Sequence, residues 1–188
     1  LSAIETGNVK VRPVEVELAP LVSDVISSLA NKAAAKGIVV RSVVGDDAMV
    51  FADPRRLEQM LTNLIENAIK FNRENGSVTV KLKRGEQGSG PIREGFDVQS
   101  GAAARDLIVI EDSGEGIPAQ HLERLFERFY RVDRARSRDL GGIGLGLAIV
   151  KHLARAHGGE VSVSSEVGKG STFIIELPRP ALRRVASA

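Results

Sequence analysis

The stretch "DPRRLEQMLTNLIENAIKF", residues 53–71, limits the possible folds more than any other part of the chain. Leu57, Met60, Leu61, Leu64, Ile65 and Ala68 recur at i, i+3, i+4 and i+7, the spacing of one apolar face of a long helix. Asp53 suits the N-cap and Pro54 the first helical position. A stripe this continuous must be buried, so the other elements have to be laid against it.

Those elements can be read in order. "PLVSDVISSLANKAAAKG" predicts a helix between Pro20 and Gly37, with Leu21, Val25 and Leu29 on one face. "IVVRSVV" and "AMVF" read as two strands of a hairpin around "GDD". "SVTVKLK" alternates as a half-buried strand, and "DLIVIED" is apolar enough to be central in its sheet. "AQHLERLFERF" predicts a short helix. "LGLAIVKHLARAH" predicts a helix that stops at Gly158-Gly159. "EVSVSSE" and "STFIIEL" close as a hairpin around "VGKG". No regular βαβ alternation runs through this order. The expected class is therefore α/β of the α+β kind, a two-layer sandwich whose mixed, mainly antiparallel sheet is covered on one face by helices. Residues 85–105, with five glycines and Pro91, read as a flexible insertion between two strands. The ending 181–188 reads as a frayed tail.

Composition removes several chemistries. Cysteine is absent, which excludes disulfides, thiolate catalysis and cysteine-ligated zinc. His121, His152 and His157 lack the spacing of a metal-binding pair on one helix face. The net charge is only +2, so a pI near 9.1 gives little reason to expect a nucleic-acid partner. No segment has the roughly 18 to 20 apolar residues of a membrane span, and no signal-peptide pattern stands at Leu1. With no initiator Met, the 188 residues read as a piece of something longer.

Three motifs carry chemistry. Asn63, Asn67 and Lys70 share a helix face about 120° from the centre of the apolar stripe, at ~100° per residue. Carboxamide oxygens there suit Mg²⁺ and an amine suits phosphate, although a solvated polar face would look the same. "EDSGEGIP" sets Asp112 at a strand end, with Gly114 and Gly116 allowing close backbone approach. Its carboxylate can accept from an exocyclic amine, or the stretch is a plain strand-to-helix turn. "GGIGLGLAIV" sets Gly141, Gly142, Gly144 and Gly146 before an apolar helix. Such a helix N-terminus can receive a phosphate, or the glycines make a hinge. A P-loop would need Lys-Ser/Thr after the last glycine, which is missing here.

Together and in this order, "NLIENAIKF", "DSGEGI", "FERFYR", "GIGLGL" and "GKGSTF" resemble the catalytic domain of two-component sensor histidine kinases. The wider superfamily holds type II topoisomerases, ninety-kilodalton heat-shock chaperones and mismatch-repair ATPases. The resemblance implies an ATP-binding domain over residues 14–180, with an ATP lid at 118–141. Residues 1–13 would be the end of a dimerisation helix and a linker. It implies Asn67 as the Mg²⁺ ligand, Asn63 beside the phosphates and Lys70 as a phosphate contact. Asp112 would hold the adenine amine, with Gly114, Gly116 and Ile117 around it. Phe126 and Phe129 would anchor the lid, and Tyr130 and Arg131 would lie near the nucleotide. Gly142, Gly144, Leu145, Gly146 and Leu147 would close over the phosphates, and Thr172 would lie near the base. Catalysis would fall to Asn67, Lys70 and Arg131. The implied partners are a histidine-bearing dimerisation domain of the same protein, as a homodimer, and a response regulator. The implied location is cytoplasmic, with a membrane anchor elsewhere in the parent left open.

Three departures from the family pattern stand out. Ile143 lies where a small or hydroxylated residue is commoner. "FNRENG" replaces a common Thr-Pro after the Asn-bearing helix. No histidine precedes the domain, so the phosphoacceptor is expected on another segment. Two other readings stay open: a nucleotide-gated interaction module without transfer activity, and a stand-alone ATPase of the same superfamily. The ATPase reading is opposed by Asn63, which stands where those enzymes carry a general-base Glu.

Overall fold

The computed structural model describes residues 9–85, 104–132 and 143–180. The expected insertion, most of the expected linker, the second half of the expected lid, Gly141, Gly142 and the tail fall wholly or mainly outside these residues. The elements run β1 (Val14–Glu17), α1 (Leu18–Ser28), α2 (Ala30–Ala34), β2 (Val39–Ser42), β3 (Met49–Ala52) and α3 (Pro54–Lys70). Then come β4 (Ser77–Gly85), β5 (Arg105–Asp112), α4 (Ala119–Leu122), α5 (Gly146–Ala156), β6 (Glu160–Glu166) and β7 (Gly170–Pro178).

Five strands form the main sheet in the order β2-β4-β5-β7-β6, with β2 parallel to β4 and the other pairs antiparallel. The apolar run in β5 has its cause in this order, since β5 is the middle strand. On one side of the sheet lie Val78, Val80, Ile108, Ile110, Phe173, Ile175 and Leu177, all buried. Against them pack Leu18, Val22 and Val25 of α1, the whole predicted stripe of α3, and Val150, Leu153 and Ala154 of α5. Each large side chain so buried contributes about 1.5–3 kcal/mol. The result is the expected two-layer arrangement with helices on one face. Among the described residues no helix is long and apolar enough to cross a membrane.

Three expectations fail, the first being the helix expected from "AQHLERLFERF", which is helical only over α4, with turns after Leu122. The segments 38–44 and 48–51 are strands but not a hairpin. β2 pairs with β4, whereas β3 pairs with β1 in a separate two-stranded sheet, Val16 opposite Val50. The burial of Val50, Ala52 and Val16 explains the divergence: β3 turns its apolar residues into the core at the edge of the helical layer. The helix expected between Pro20 and Gly37 begins earlier, at Leu18, and breaks at Leu29. The N-cap reading of Asp53 does hold, since its Oδ1 accepts the Arg56 N–H at 3.2 Å.

At the ends of α3 and α5 the two helices are joined by His157. Its Nδ1 lies 2.7 Å from the Leu153 carbonyl and its Nε2 accepts the Asp53 N–H at 3.0 Å. Both bonds require the neutral ring protonated at Nδ1.

Candidate nucleotide-type site

The site lies between α3, the end of β5 and the N-terminus of α5. Ile108, Ile110 and Asp112 alternate onto the helix-facing side of β5, so Asp112 points out of the sheet toward the helical layer just where the core ends. Its Oδ1 accepts the N–H of Gly114 at 2.8 Å and that of Ser171 at 3.2 Å. Among the described residues no hydrogen bond engages Oδ2, which is left for a donor from outside. Burial raises the carboxyl pKa above its usual 3.8, against the lowering effect of those two N–H groups. A half-buried carboxylate with one oxygen fixed and one open is a selective acceptor for an amine.

The backbone around Asp112 is packed too closely for side chains. A Cβ on Gly170, whose φ is +112°, would lie 2.0 Å from the Asp112 carbonyl oxygen. One on Gly116, at φ +73°, would lie 2.1 Å from the Glu166 carbonyl oxygen. Ile117 donates its N–H to Ser165 Oγ at 2.8 Å, which ties the glycine turn to the β6–β7 hairpin.

Asn63, Asn67 and Lys70 are half-buried, unlike the exposed Arg55 and Glu58 of the same helix. The start of α5 lies against the two asparagines: a Cβ on Gly146 would sit 3.5 Å from Asn63 Oδ1 and 4.0 Å from Asn67 Nδ2. No side chain caps that helix start, so its first N–H groups have no side-chain acceptor. Leu147 packs against the core behind it. Lys70 is pressed below the usual lysine pKa by burial, then by the Arg131 charge, with Glu66 opposing and Lys36 adding to the fall. Nη2 of Arg131 is buried with no hydrogen-bond partner among the described residues. A buried guanidinium nitrogen with an unsatisfied donor, close enough to Lys70 to lower its pKa, suits a negatively charged partner.

The segment carrying Arg131 is held at several points. Phe126 is half-buried against the core, with Lys151 Nζ 5.5 Å above its ring. Phe129 is 64% exposed and has a left-handed backbone, φ +64°. Its N–H donates to the Gly144 carbonyl at 2.9 Å. Gly144 itself has φ +76°, and a Cβ there would come within 3.0 Å of the Phe129 and Tyr130 backbone. Leu145 precedes α5 as its N-cap. The Tyr130 hydroxyl lies 2.6 Å from His121 Nδ1, and the Arg124 guanidinium stacks 4.4 Å from the Tyr130 ring centre.

One expected residue is not brought to the site. Thr172 pairs with Glu111 and Ser164 on the face of the sheet away from the helices, whereas Ser171 shares the Asp112 side with Phe173. The residue beside Asp112 is therefore Ser171. Strand alternation was the signal for it: Phe173 belongs to the core, so Thr172 must face the other way. Reading the motifs also passed over Ser165, Asn72 and Ser113, whose side chains bond the loops around Asp112.

Comparison with known proteins agrees with this geometry. Residues 52–181 match the family described as histidine kinase-, DNA gyrase B- and HSP90-like ATPase. The Staphylococcus aureus sensor protein SrrB is 40% identical over 128 residues, 68% of this chain and 19% of SrrB. The chain thus spans about a fifth of the sensor proteins it matches. Among solved structures, full-length ShkA in complex with AMPPNP superposes with a TM-score of 0.72 at 29% identity, covering 97% of this chain and 35% of ShkA. The mycobacterial sensor histidine kinase MprB superposes with a TM-score of 0.69 at 27% identity, covering 90% of this chain and all of that one. On sequence and fold alike, this chain belongs to the histidine kinase-, DNA gyrase B- and HSP90-like ATPase family, as a catalytic domain homologous to those of sensor histidine kinases.

Proposed function

We propose that the chain binds Mg²⁺-ATP and presents its γ-phosphate to a histidine on a dimerisation domain of the same protein, for relay to a response regulator. The observation that carries this most directly is the Asp112 carboxylate, fixed through Oδ1 by Gly114 and Ser171, in the same cleft as Asn63 and Asn67, which lie against Gly146 at the start of α5. ShkA was solved with the ATP analogue AMPPNP, which supports the nucleotide half of the reading.

Adenine is held at Asp112, whose open Oδ2 accepts the exocyclic amine while Ser171, Gly114, Gly116 and Ile117 shape the pocket. The triphosphate runs toward Asn63, Lys70, Arg131 and the start of α5, with Gly144 and Leu145 on the closing side. Tyr130, next to Arg131 in the chain, is anchored by His121 and Arg124. Among the described residues no group of three or more His, Asp or Glu side chains could hold a metal alone. Asn67 would hold Mg²⁺ through its hard carboxamide oxygen, as suits an ion that takes few protein ligands. The ion neutralises charge on the phosphates when bound. The chain's own residues do the rest: Lys70 and Arg131 stabilise the transferred group, and the cleft aligns it for attack.

Nothing in α3 is placed to activate water. Asn63 cannot take a proton, and Glu66, the nearest acid on the helix, is paired with Lys32 of α2.

Mixing the chain with its parent's helical hairpin and Mg²⁺-ATP tests the reading. Acid-labile phosphohistidine on the hairpin is the expected product. ATP binding without transfer would make the chain a nucleotide-gated interaction module, and steady phosphate release without the hairpin would make it an ATPase.

A further inference from the structure

Directly after the Asn-bearing helix stands Asn72, where the family pattern commonly has Thr. Asn72 is 7% exposed, and its carboxamide is used in full view of the Asp112 loop. Nδ2 donates to the Ser77 carbonyl at 3.0 Å. Oδ1 accepts the Arg73 N–H at 3.1 Å and the Ser113 hydroxyl at 3.4 Å. Ser113 answers from the other side: its Oγ accepts the Ser77 N–H at 2.8 Å, and its N–H donates to the Ser77 carbonyl at 3.1 Å. The carboxamide sits in a notch left by Gly76, where a Cβ would lie 2.2 Å from Asn72 Oδ1 and 2.9 Å from Ser113 Oγ. Beside it, a Cβ on Gly114 would lie 2.8 Å from both the Phe71 carbonyl oxygen and Asp112 Oδ1.

We infer that Asn72 is a positioning residue for base recognition: through Ser113 it fixes the Asp112 carboxylate relative to the phosphate-facing side of α3. The physical reason is the geometry of the link. Lys70 and Asn72 are two residues apart at the end of α3, and Ser113 follows Asp112 directly. A carboxamide can donate to one backbone and accept from another at once, so it ties the two ends of the cleft at a set separation. A threonine has one hydroxyl and a shorter reach. On the reading of Asp112 as the adenine acceptor, on which this rests, loosening the strut costs the amine's hydrogen bond and leaves the phosphate contacts in place.

The test is a cycle between the protein and the base. Affinities for ATP and for purine riboside triphosphate, which lacks only the exocyclic amine, are measured for the parent chain, Asn72→Ala, Ser113→Ala and Asp112→Asn. Asn72→Ala and Ser113→Ala are expected to weaken ATP about tenfold, the worth of one hydrogen bond to a charged acceptor. Both are expected to leave the analogue within about twofold. A merely structural role would weaken both nucleotides alike. If Asp112→Asn discriminates against ATP and neither strut variant does, Asn72 does not act through Asp112. If Asp112→Asn itself treats the two nucleotides alike, Asp112 is not the amine acceptor and the reading beneath the proposal is lost. Should Asn72→Ala fail to fold, Ser113→Ala decides the matter, since it cuts the same link by removing one oxygen.

Discussion

Oδ1 of Asp112 accepts the backbone N–H of Ser171 across two adjacent strands, at 3.2 Å, while Gly114 donates to the same oxygen at 2.8 Å. Strand pairing therefore aims the carboxylate, and one oxygen stays available for a ligand. Asp112→Asn keeps an acceptor for those two N–H groups but cannot offer a charged oxygen to an amine. ATP affinity should fall roughly ten- to a hundred-fold, from the loss of about 1.5–3 kcal/mol. The apo fold should not lose stability at neutral pH, because the substitution removes a half-buried charge. Calorimetric titration with ATP, beside thermal unfolding, checks both halves.

The raised pKa of Asp112 sets a direction with pH. Its folded value lies above the usual 3.8, so between the two the folded state holds more protons than the unfolded. Stability contributed by this group is present below the unfolded pKa and is lost as pH rises through the folded one. Binding runs the opposite way, since the ionised form is the amine acceptor. ATP affinity should therefore decline on acidification at a pH above that of an ordinary aspartate, and Asp112→Asn should flatten that limb. Titrations stepped downward from about pH 7 show it directly.

Asp106 at the start of β5 is 2% exposed and pairs with Arg179, just beyond β7. Arg179 also donates its backbone N–H to the Ala104 carbonyl at 2.8 Å. Arg179→Ala would leave a buried carboxylate without its cation, a change that costs about 3–5 kcal/mol. Urea unfolding should show the loss, and Asp106→Asn in the same background should restore part of it. Nucleotide affinity of the folded fraction should be unchanged, because this pair lies at the opposite end of β5 from Asp112.

How far these features could be read in the sequence varied with how local their causes are. The α3 stripe, the Asp53 cap and the central strand follow from spacing and composition within one segment. The false hairpin shows the limit: residues 38–51 look like adjacent strands, but β2 finds its partner 38 positions on, at β4, where Val39 faces Ser77. Asn72 was visible only as a departure from a motif. Its meaning depends on Ser77 and Ser113, which meet it through sheet pairing that no local pattern encodes. Ser171 was within reach, because the core position of Phe173 fixes which neighbour turns toward Asp112.

The metal assignment can be tested at Asn67, nearly one turn before Lys70 on the same face of α3 and facing the start of α5. On the proposed reading it gives Mg²⁺ a single neutral oxygen, while phosphate supplies the negative ligands. Asn67→Asp adds a charge beside the triphosphate. At an effective dielectric near 20, like charges ~5 Å apart repel by about 3 kcal/mol. Attraction to Mg²⁺ offsets part of this, so the balance turns on how much metal is present. ATP binding by the variant should weaken most when Mg²⁺ is scarce and recover as it is raised, giving a steeper metal dependence than the parent. Folding should be little affected, because Asn67 is half-buried and Asp fits the same space. ATP titrations at several Mg²⁺ concentrations separate the outcomes: parallel curves for variant and parent would place the metal away from Asn67, and a uniform loss at every concentration would make Asn67 a phosphate contact instead.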